Sequence, residues 1–194
     1  TIDAGATLTT VAGGYYMKTN GDVTNNGTFS AGGGSTIRFS GTTLTNNGTV
    51  SGSFFNFETG VHTLQGTGSW TTGANILSGA TVNLASNHLM HSVNVNSGGI
   101  FNLSTFKLSL TASNPIVNSG TFNTTSGTVE YSGASLQSIS TTGITYNRLR
   151  INNTAGTTLS GAVTVNDTLS VISGDLNLNG QVLTISPAGF LTET

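Results

Sequence analysis

The chain has 194 residues, of which only 6% are charged against about 25% in typical soluble domains, and its net charge is -2. Five basic and seven acidic residues, thinly spread, exclude a nucleic-acid-binding protein that depends on a basic patch. The apolar runs are too short to span a bilayer, and the absence of cysteine excludes disulfides. β-Branched Thr, Val and Ile dominate between glycines, which predicts strands and almost no helix.

The N-terminal half repeats openly. Residues 23–29, Val-Thr-Asn-Asn-Gly-Thr-Phe, return as residues 44–50, and related segments begin at Val95 and Val117. Asn-Gly and Ser-Gly dipeptides separate segments of strand length, and both dipeptides tolerate the positive φ of tight corners. The stretch 51–91 is less regular, and we interpret it as the same unit with longer or bulged corners.

The C-terminal half carries apolar columns at the same step. Each member of a column is an apolar-polar-apolar triplet, the alternation of a strand that buries one face. A fixed step of about 20 residues is typical of one supersecondary unit stacked on itself. The triplets are Leu108 with Leu110, Val129 with Tyr131, Leu149 with Ile151 and Leu169 with Val171, and a second column joins Val163 with Val165 to Leu183 with Ile185.

These patterns predict an all-β fold, a parallel β-helix or β-solenoid of about nine coils with 20–22 residues each. Apolar pairs six or seven positions apart, beginning at Val163, Leu169, Leu176 and Leu183, indicate three faces and a triangular cross-section. We expect a right-handed coil, as parallel crossovers usually are. We expect residues 1–194 to form one domain, as a segment or subunit of a longer rod. A β-sandwich is the alternative, but it would need antiparallel hairpins and would not produce the column.

Residues 146–153, 158–169 and 173–180, like the Val-Thr-Asn-Asn-Gly-Thr-Phe segment, resemble the repeats of very large secreted cell-surface proteins of Bacteroidota-type bacteria. These proteins are adhesin-like β-solenoids. The resemblance implies secretion and exposure on a cell surface, and it carries no catalytic residue to this chain.

Catalytic and metal sites have little support. Some β-solenoids are polysaccharide lyases or hydrolases, which need two or three neighbouring carboxylates. The best pair here is Asp3 with Asp22, and it lacks a His or Arg partner. His88 and His91, three apart, point to opposite faces of a strand, so we expect two corner histidines. We therefore predict no enzyme, no metal and no cofactor.

The candidate binding surface is an outward row of Tyr146, Arg148 and Arg150, which alternates with inward Leu149 and Ile151. Such a row could bind a glycan or another surface. Glu130 lies one coil before Arg150, so an exposed ion pair of at most about 1 kcal/mol is the simpler interpretation.

The aromatic residues are predicted to lie mainly in the core. Of the adjacent Tyr15 and Tyr16 we expect one ring inward and one exposed. Trp70 and the Phe cluster, which comprises Phe54, Phe55 and Phe57, are expected in the core or at an end of the coil stack. Asn and Thr stacked in register could form side-chain ladders.

The favoured function is a non-catalytic structural protein outside the cell, a stalk, filament or adhesin rod. The alternatives are a glycan- or surface-binding module and, less favoured, a polysaccharide-degrading enzyme or an ice-binding protein. Residues 1–9 and 183–191 have the pattern of ordinary coils and not of a segment that would cap an end of the stack. We therefore expect end-to-end self-association or continuation in a larger chain, with no nucleic acid and no membrane span.

Overall fold

A computed structural model describes residues 1–193, and these residues form 24 strands and no helix. The strands stack as a β-solenoid of about nine turns, as the apolar columns predict. In chain order they are β1 Thr7–Thr9, β2 Tyr16–Thr19, β3 Val23–Asn25, β4 Thr28–Phe39, β5 Thr43–Asn46, β6 Thr49–Phe57, β7 Gly60–Gln65, β8 Ser69–Trp70, β9 Gly73–Ile76, β10 Ala80–Leu84, β11 His88–Met90, β12 Ser92–Val95, β13 Ile100–Asn102, β14 Lys107–Leu110, β15 Ile116–Asn118, β16 Thr121–Asn123, β17 Thr128–Tyr131, β18 Gln137–Ile139, β19 Tyr146–Asn152, β20 Thr157–Leu159, β21 Val163–Ser173, β22 Leu176–Asn177, β23 Leu183–Ile185 and β24 Phe190–Glu193.

Each strand pairs in parallel with the equivalent strand of the next coil. Leu110 lies opposite Tyr131, Tyr131 opposite Ile151, and Ile151 opposite Val171. The second predicted column is confirmed too, because β21 and β23 pair in the predicted register. The early repeat follows the same rule, since β3 lies beside β5.

Three series of strands build the sides of the coil. β3, β5, β7, β10, β13 and β16 form one sheet, and β18, β20 and β22 form a short second sheet. The remaining strands form one large sheet that turns a corner, because the long strands β4, β6 and β21 each pair with two separate strands of a neighbouring coil. The three-sided cross-section is therefore confirmed.

The core is a narrow column of side chains that alternate with outward ones. Leu149 is fully buried and Leu169 nearly so, while Arg148 is exposed and Ser170 half-buried. Burying such aliphatic side chains contributes about 1.5–3 kcal/mol each. Trp70, Phe55 and Phe57 pack together in the core, with ring centroids 4.9 Å apart between Phe55 and Trp70.

Two aromatic rings, those of Phe54 and Tyr15, depart from the prediction. Phe54 is exposed, because it precedes inward Phe55 in the same strand. Tyr15 and Tyr16 are both exposed, whereas one inward ring was expected. Tyr15 lies before the start of β2, in the corner that follows Gly13 and Gly14, so strand alternation does not govern it.

Corner glycines are required by the close approach of stacked coils. A Cβ at Gly48 would lie 2.0 Å from the carbonyl oxygen of Gly27, and one at Gly27 would lie 2.2 Å from that of Ala6. Positive φ, expected at each Asn-Gly corner, occurs at Asn179 and Gly180 but not at these two glycines. The repeated Asn-Gly therefore reflects lack of room for a side chain.

Asparagine ladders run along the corners and sides, as the sequence suggested. Asn25 Nδ2 donates to Asn46 Oδ1 at 2.7 Å, and both side chains are fully buried. Asn123 donates to Asn102 and Asn102 to Asn83, each at 2.7 Å. These bonds satisfy amides that would otherwise be costly to bury. Within residues 1–193, no helix is long and apolar enough to cross a membrane.

We predict that Leu149→Asp abolishes cooperative folding of the neighbouring coils, because it places a carboxylate in an apolar core. Leu89 offers a matched control, since it is exposed on the central strand β11. Leu89→Asp should change the free energy of unfolding by less than about 0.5 kcal/mol. Circular dichroism during thermal unfolding measures both variants. Equal effects at the two positions would contradict the register.

Candidate binding surface

The predicted row of Tyr146, Arg148 and Arg150 does not share one face. The two arginines lie outward, but Tyr146 has 0% exposure and points into the core. The cause is a bulge: Tyr146 pairs with Val165, whereas Arg148 pairs with Thr168. Counting backwards from Arg148 by alternation therefore places Tyr146 on the wrong side. Tyr146 cannot contact a ligand on the surface.

Tyr146 and Tyr131 instead form a buried hydroxyl pair, with their oxygens 2.8 Å apart. Tyr146 donates its proton to the Ser140 carbonyl at 2.6 Å, and the Ser140 N–H donates to the Tyr131 oxygen at 3.2 Å. Burial raises the pKa of Tyr131 to about 12 and raises the pKa of Tyr146 well above its usual value. Both phenols therefore stay neutral and hold the coil together.

Glu130 is the centre of the charged part of this surface. As predicted, it lies opposite Arg150 on the next coil, with Arg150 Nε 2.7 Å from Glu130 Oε2. Lys107 Nζ lies 3.0 Å from Oε1, and Ser109 Oγ donates to the same oxygen at 2.7 Å. Glu130 thus connects three successive coils.

The prediction of an exposed ion pair is wrong in one respect, because Glu130 is only 4% exposed. Its side chain points outward between inward Val129 and Tyr131, but the neighbouring Lys107 and Arg150 cover it while their own side chains stay about 40% exposed. Long basic side chains often cover a surface in this way. A covered carboxylate depends on its partners more strongly than an exposed one does.

Arg148 is also paired. Its Nε donates to Asp167 Oδ2 at 2.6 Å, and its Nη1 donates to the Ser126 carbonyl at 3.3 Å. The hydrogen bond from Arg148 lowers the pKa of Asp167, with a second contribution from Thr168. Since both arginines of the row already face carboxylates, the row offers little free positive charge to an anionic glycan.

Of the two carboxylates considered for catalysis, that of Asp22 has a structural role. Asp22 Oδ1 accepts hydrogen bonds from the backbone N–H groups of Thr42 and Thr43 at 2.9 and 2.7 Å. The Asp3 carbonyl, not its carboxylate, closes a turn with Ala6. In the described part of the chain, no three His, Asp or Glu side chains come together as a metal ion would require.

The histidines differ from the predicted pair of corner residues. His91 is exposed, but His88 lies in β11 and is buried. His88 Nε2 is 3.1 Å from Ser86 Oγ and 3.3 Å from the Leu64 carbonyl oxygen. Burial lowers the pKa of His88, so the folded chain holds the neutral ring.

His62 was missed by the sequence reasoning, although it is the most constrained histidine. Its ring is buried, with Nδ1 2.6 Å from the Gly41 carbonyl oxygen and Nε2 2.6 Å from that of Glu58. The Gly41 contact joins successive coils. The signal in the sequence was Leu64, because strand alternation puts His62 on the same inward face as Leu64. The apolar Val61 between Gly60 and His62 favoured the opposite register.

Comparison with known proteins adds no family to this description. No family model matches the chain, and no match is found among the curated proteins or the solved structures.

We predict that Lys107→Met with Arg150→Met lowers the free energy of unfolding by about 3 kcal/mol, because it leaves the covered Glu130 without a cation. Methionine keeps an apolar cover over the carboxylate. Each single change should cost about 1 kcal/mol or less. Urea unfolding measures all three variants. Adding Glu130→Gln to the double variant should restore most of the loss, and additive single effects without such recovery would contradict the account.

We predict a loss of stability on mild acidification that depends on His88. Because burial lowers its pKa below the usual 6.5, the unfolded chain binds a proton first as the pH falls, and unfolding becomes easier. The free energy of unfolding should therefore fall between about pH 7.5 and 5.5, above the range in which carboxylates titrate. His88→Gln should reduce this slope, whereas His91→Gln at the exposed position should leave it unchanged. Equal slopes in the two variants would refute the assignment.

Proposed function

We propose that the chain is a non-catalytic structural segment of an extracellular stalk, filament or adhesin rod. The observation that carries the proposal is that the coil stack exposes apolar side chains and strand edges at both ends, where a further coil would cover them. A rod that continues along its axis would have this distribution.

Stiffness along the axis supports the proposal. Backbone hydrogen bonds join each coil to the next. Side-chain hydrogen bonds, such as the one that Asn47 donates to Asn26 at 3.0 Å, also run along the axis. Glu130 and His62 add contacts between coils. The rod therefore needs neither disulfides nor a wide core, in keeping with its low charge and lack of cysteine.

The C-terminal end of the stack is open. Its last strands include exposed Phe190 and Leu191, and Leu183 is only half-buried. A hollow of about 480 Å³ lies among Leu169, Leu183 and Leu191, where the next coil would place its own core side chains. Unpaired strand edges of this kind recruit further strands unless charge or proline blocks them.

The first coil is open in the same sense. Leu8 in β1 and the neighbouring Val11 are exposed, although β1 pairs with β4 on its other edge. One more parallel coil would cover them. That coil would come from a longer chain of the same repeats or from a second copy of this chain. The resemblance to secreted surface repeats supports the extracellular setting.

We predict that the purified chain assembles end to end as its concentration rises. Leu191→Lys should stop this growth, because it places a charge on the terminal strand. Val61→Lys is the matched control, since Val61 is exposed on the side of a central coil. Analytical ultracentrifugation and small-angle scattering would show rods of increasing length for the wild type and the control. A monomer at high concentration, or side-by-side growth, would contradict the proposal.

A further inference from the structure

One side of the N-terminal half carries exposed aromatic rings in register. This side comprises β2, residues 36–39 of β4, residues 54–57 of β6, β9 and β12. Tyr16, 61% exposed, lies opposite Thr36, and Thr36 lies opposite Phe54, which is 51% exposed. The two rings are therefore two coils apart along the axis, about 9.6 Å at the usual strand spacing.

A ladder of asparagine amides begins beside Phe54 and continues over the next two coils, beyond the end of the aromatic column. Asn56 stands two residues after Phe54, Asn75 lies opposite Asn56, and Asn94 lies opposite Asn75. Asn94 Nδ2 donates to Asn75 Oδ1 at 2.9 Å, and Asn75 Nδ2 donates to Asn56 Oδ1 at 2.8 Å. Each amide has two N–H donors and two acceptor lone pairs. Within the ladder, Asn75 uses one donor for Asn56 and one lone pair for Asn94. The central Asn75 therefore keeps one donor and one acceptor for a ligand, and its side chain is half-buried on the outer face.

A cleft of about 330 Å³ opens where the aromatic column ends, and we name it the Phe54 cleft. Gly73 follows Phe54 in the column and leaves the space open. A Cβ at Gly73 would lie 2.4 Å from Ser92 Oγ, so a side chain there would displace the Ser92 hydroxyl and occupy this space. The lining includes Phe54, Thr72, Gly73, Asn75, His91 and Asn94.

The Phe54 cleft favours an uncharged ligand. Among the described residues, no Asp, Glu, Lys or Arg lines it. The nearby cations are already paired, since Glu58 lies 2.9 Å from Lys18 and 3.6 Å from Arg38. The Arg38 guanidinium lies against one face of the Tyr16 ring, 4.5 Å from the centroid, and Tyr16 remains 61% exposed. A polyanion would therefore find no unpaired cation in the cleft.

A polymer that suits this surface has apolar faces for the rings and hydroxyl groups for the amides at a regular repeat. Extended β-linked sugars have both, because their axial C–H groups form apolar faces and their equatorial hydroxyls lie at the edges. The distance between the two rings is comparable to two sugars of such a chain. We propose that the Phe54 cleft binds a neutral β-linked polysaccharide that lies along the axis and stacks on Phe54 and Tyr16.

The site lies on a side of the coil stack, although Tyr16 belongs to the first coil, so it goes beyond the structural role proposed above. It also differs from the row of Arg148 and Arg150, which lies several coils away. Both rings are exposed, so their truncation removes contact area for a ligand without opening a cavity in the core.

The test is isothermal titration calorimetry of the purified chain with cellohexaose, maltohexaose and polygalacturonate as probes. We expect cellohexaose to bind, with at least about tenfold weaker affinity for Phe54→Ala and for Tyr16→Ala. Asn75→Leu should also weaken binding, because it interrupts the ladder. Val61→Ala, at an exposed position on another side of the coil, should bind like the wild type.

Thermal unfolding of each variant checks that the fold is retained. The end-blocked Leu191→Lys variant should bind cellohexaose unchanged, which separates this site from end-to-end assembly. No binding of cellohexaose, preference for maltohexaose or polygalacturonate, or unchanged binding after loss of both rings would overturn the proposal.

Discussion

The parallel stacking of one coil on the next is the constraint on which the whole structure depends. A step of 20 or 21 residues places Leu110, Tyr131 and Ile151 in one column and lets their backbones exchange hydrogen bonds. The coils approach so closely at one corner that Gly27 and Gly48 have no room for a Cβ. A strand segment that slipped by one residue against its neighbour would turn its own side chains to the opposite face.

The same stacking explains how polar groups are buried in a chain with so few charges. An outward or corner side chain meets its counterpart on the next coil, so amides such as Asn25 and Asn46 satisfy each other. Glu130 is covered by cations from the coils on both sides. His62 reaches the backbone carbonyl of the preceding coil. These polar contacts therefore join successive coils along the axis and stabilise the stack.

Different regions of the surface consequently suit different roles. The row that contains Arg148 and Arg150 is neutralised by the protein's own carboxylates. The side that contains Phe54 and Asn75 presents aromatic area and the amide donors and acceptors that the asparagine ladder leaves free. The ends present apolar side chains and strand edges, including Leu191. A structural rod with a polysaccharide-binding side would use the last two regions together without competition between them.

The sequence by itself determined the solenoid, the coil length, the three sides and the burial of Leu149, because these follow from alternation and a fixed step. Only the tertiary structure decided the positions of Tyr146 and Tyr15, since a bulge and a corner interrupt the alternation on which the prediction relied. The same holds for the burial of Glu130 and the cleft beside Phe54. Both depend on which side chains of neighbouring coils meet across about 4.8 Å, and that proximity is a property of the stacked coils and not of any single strand.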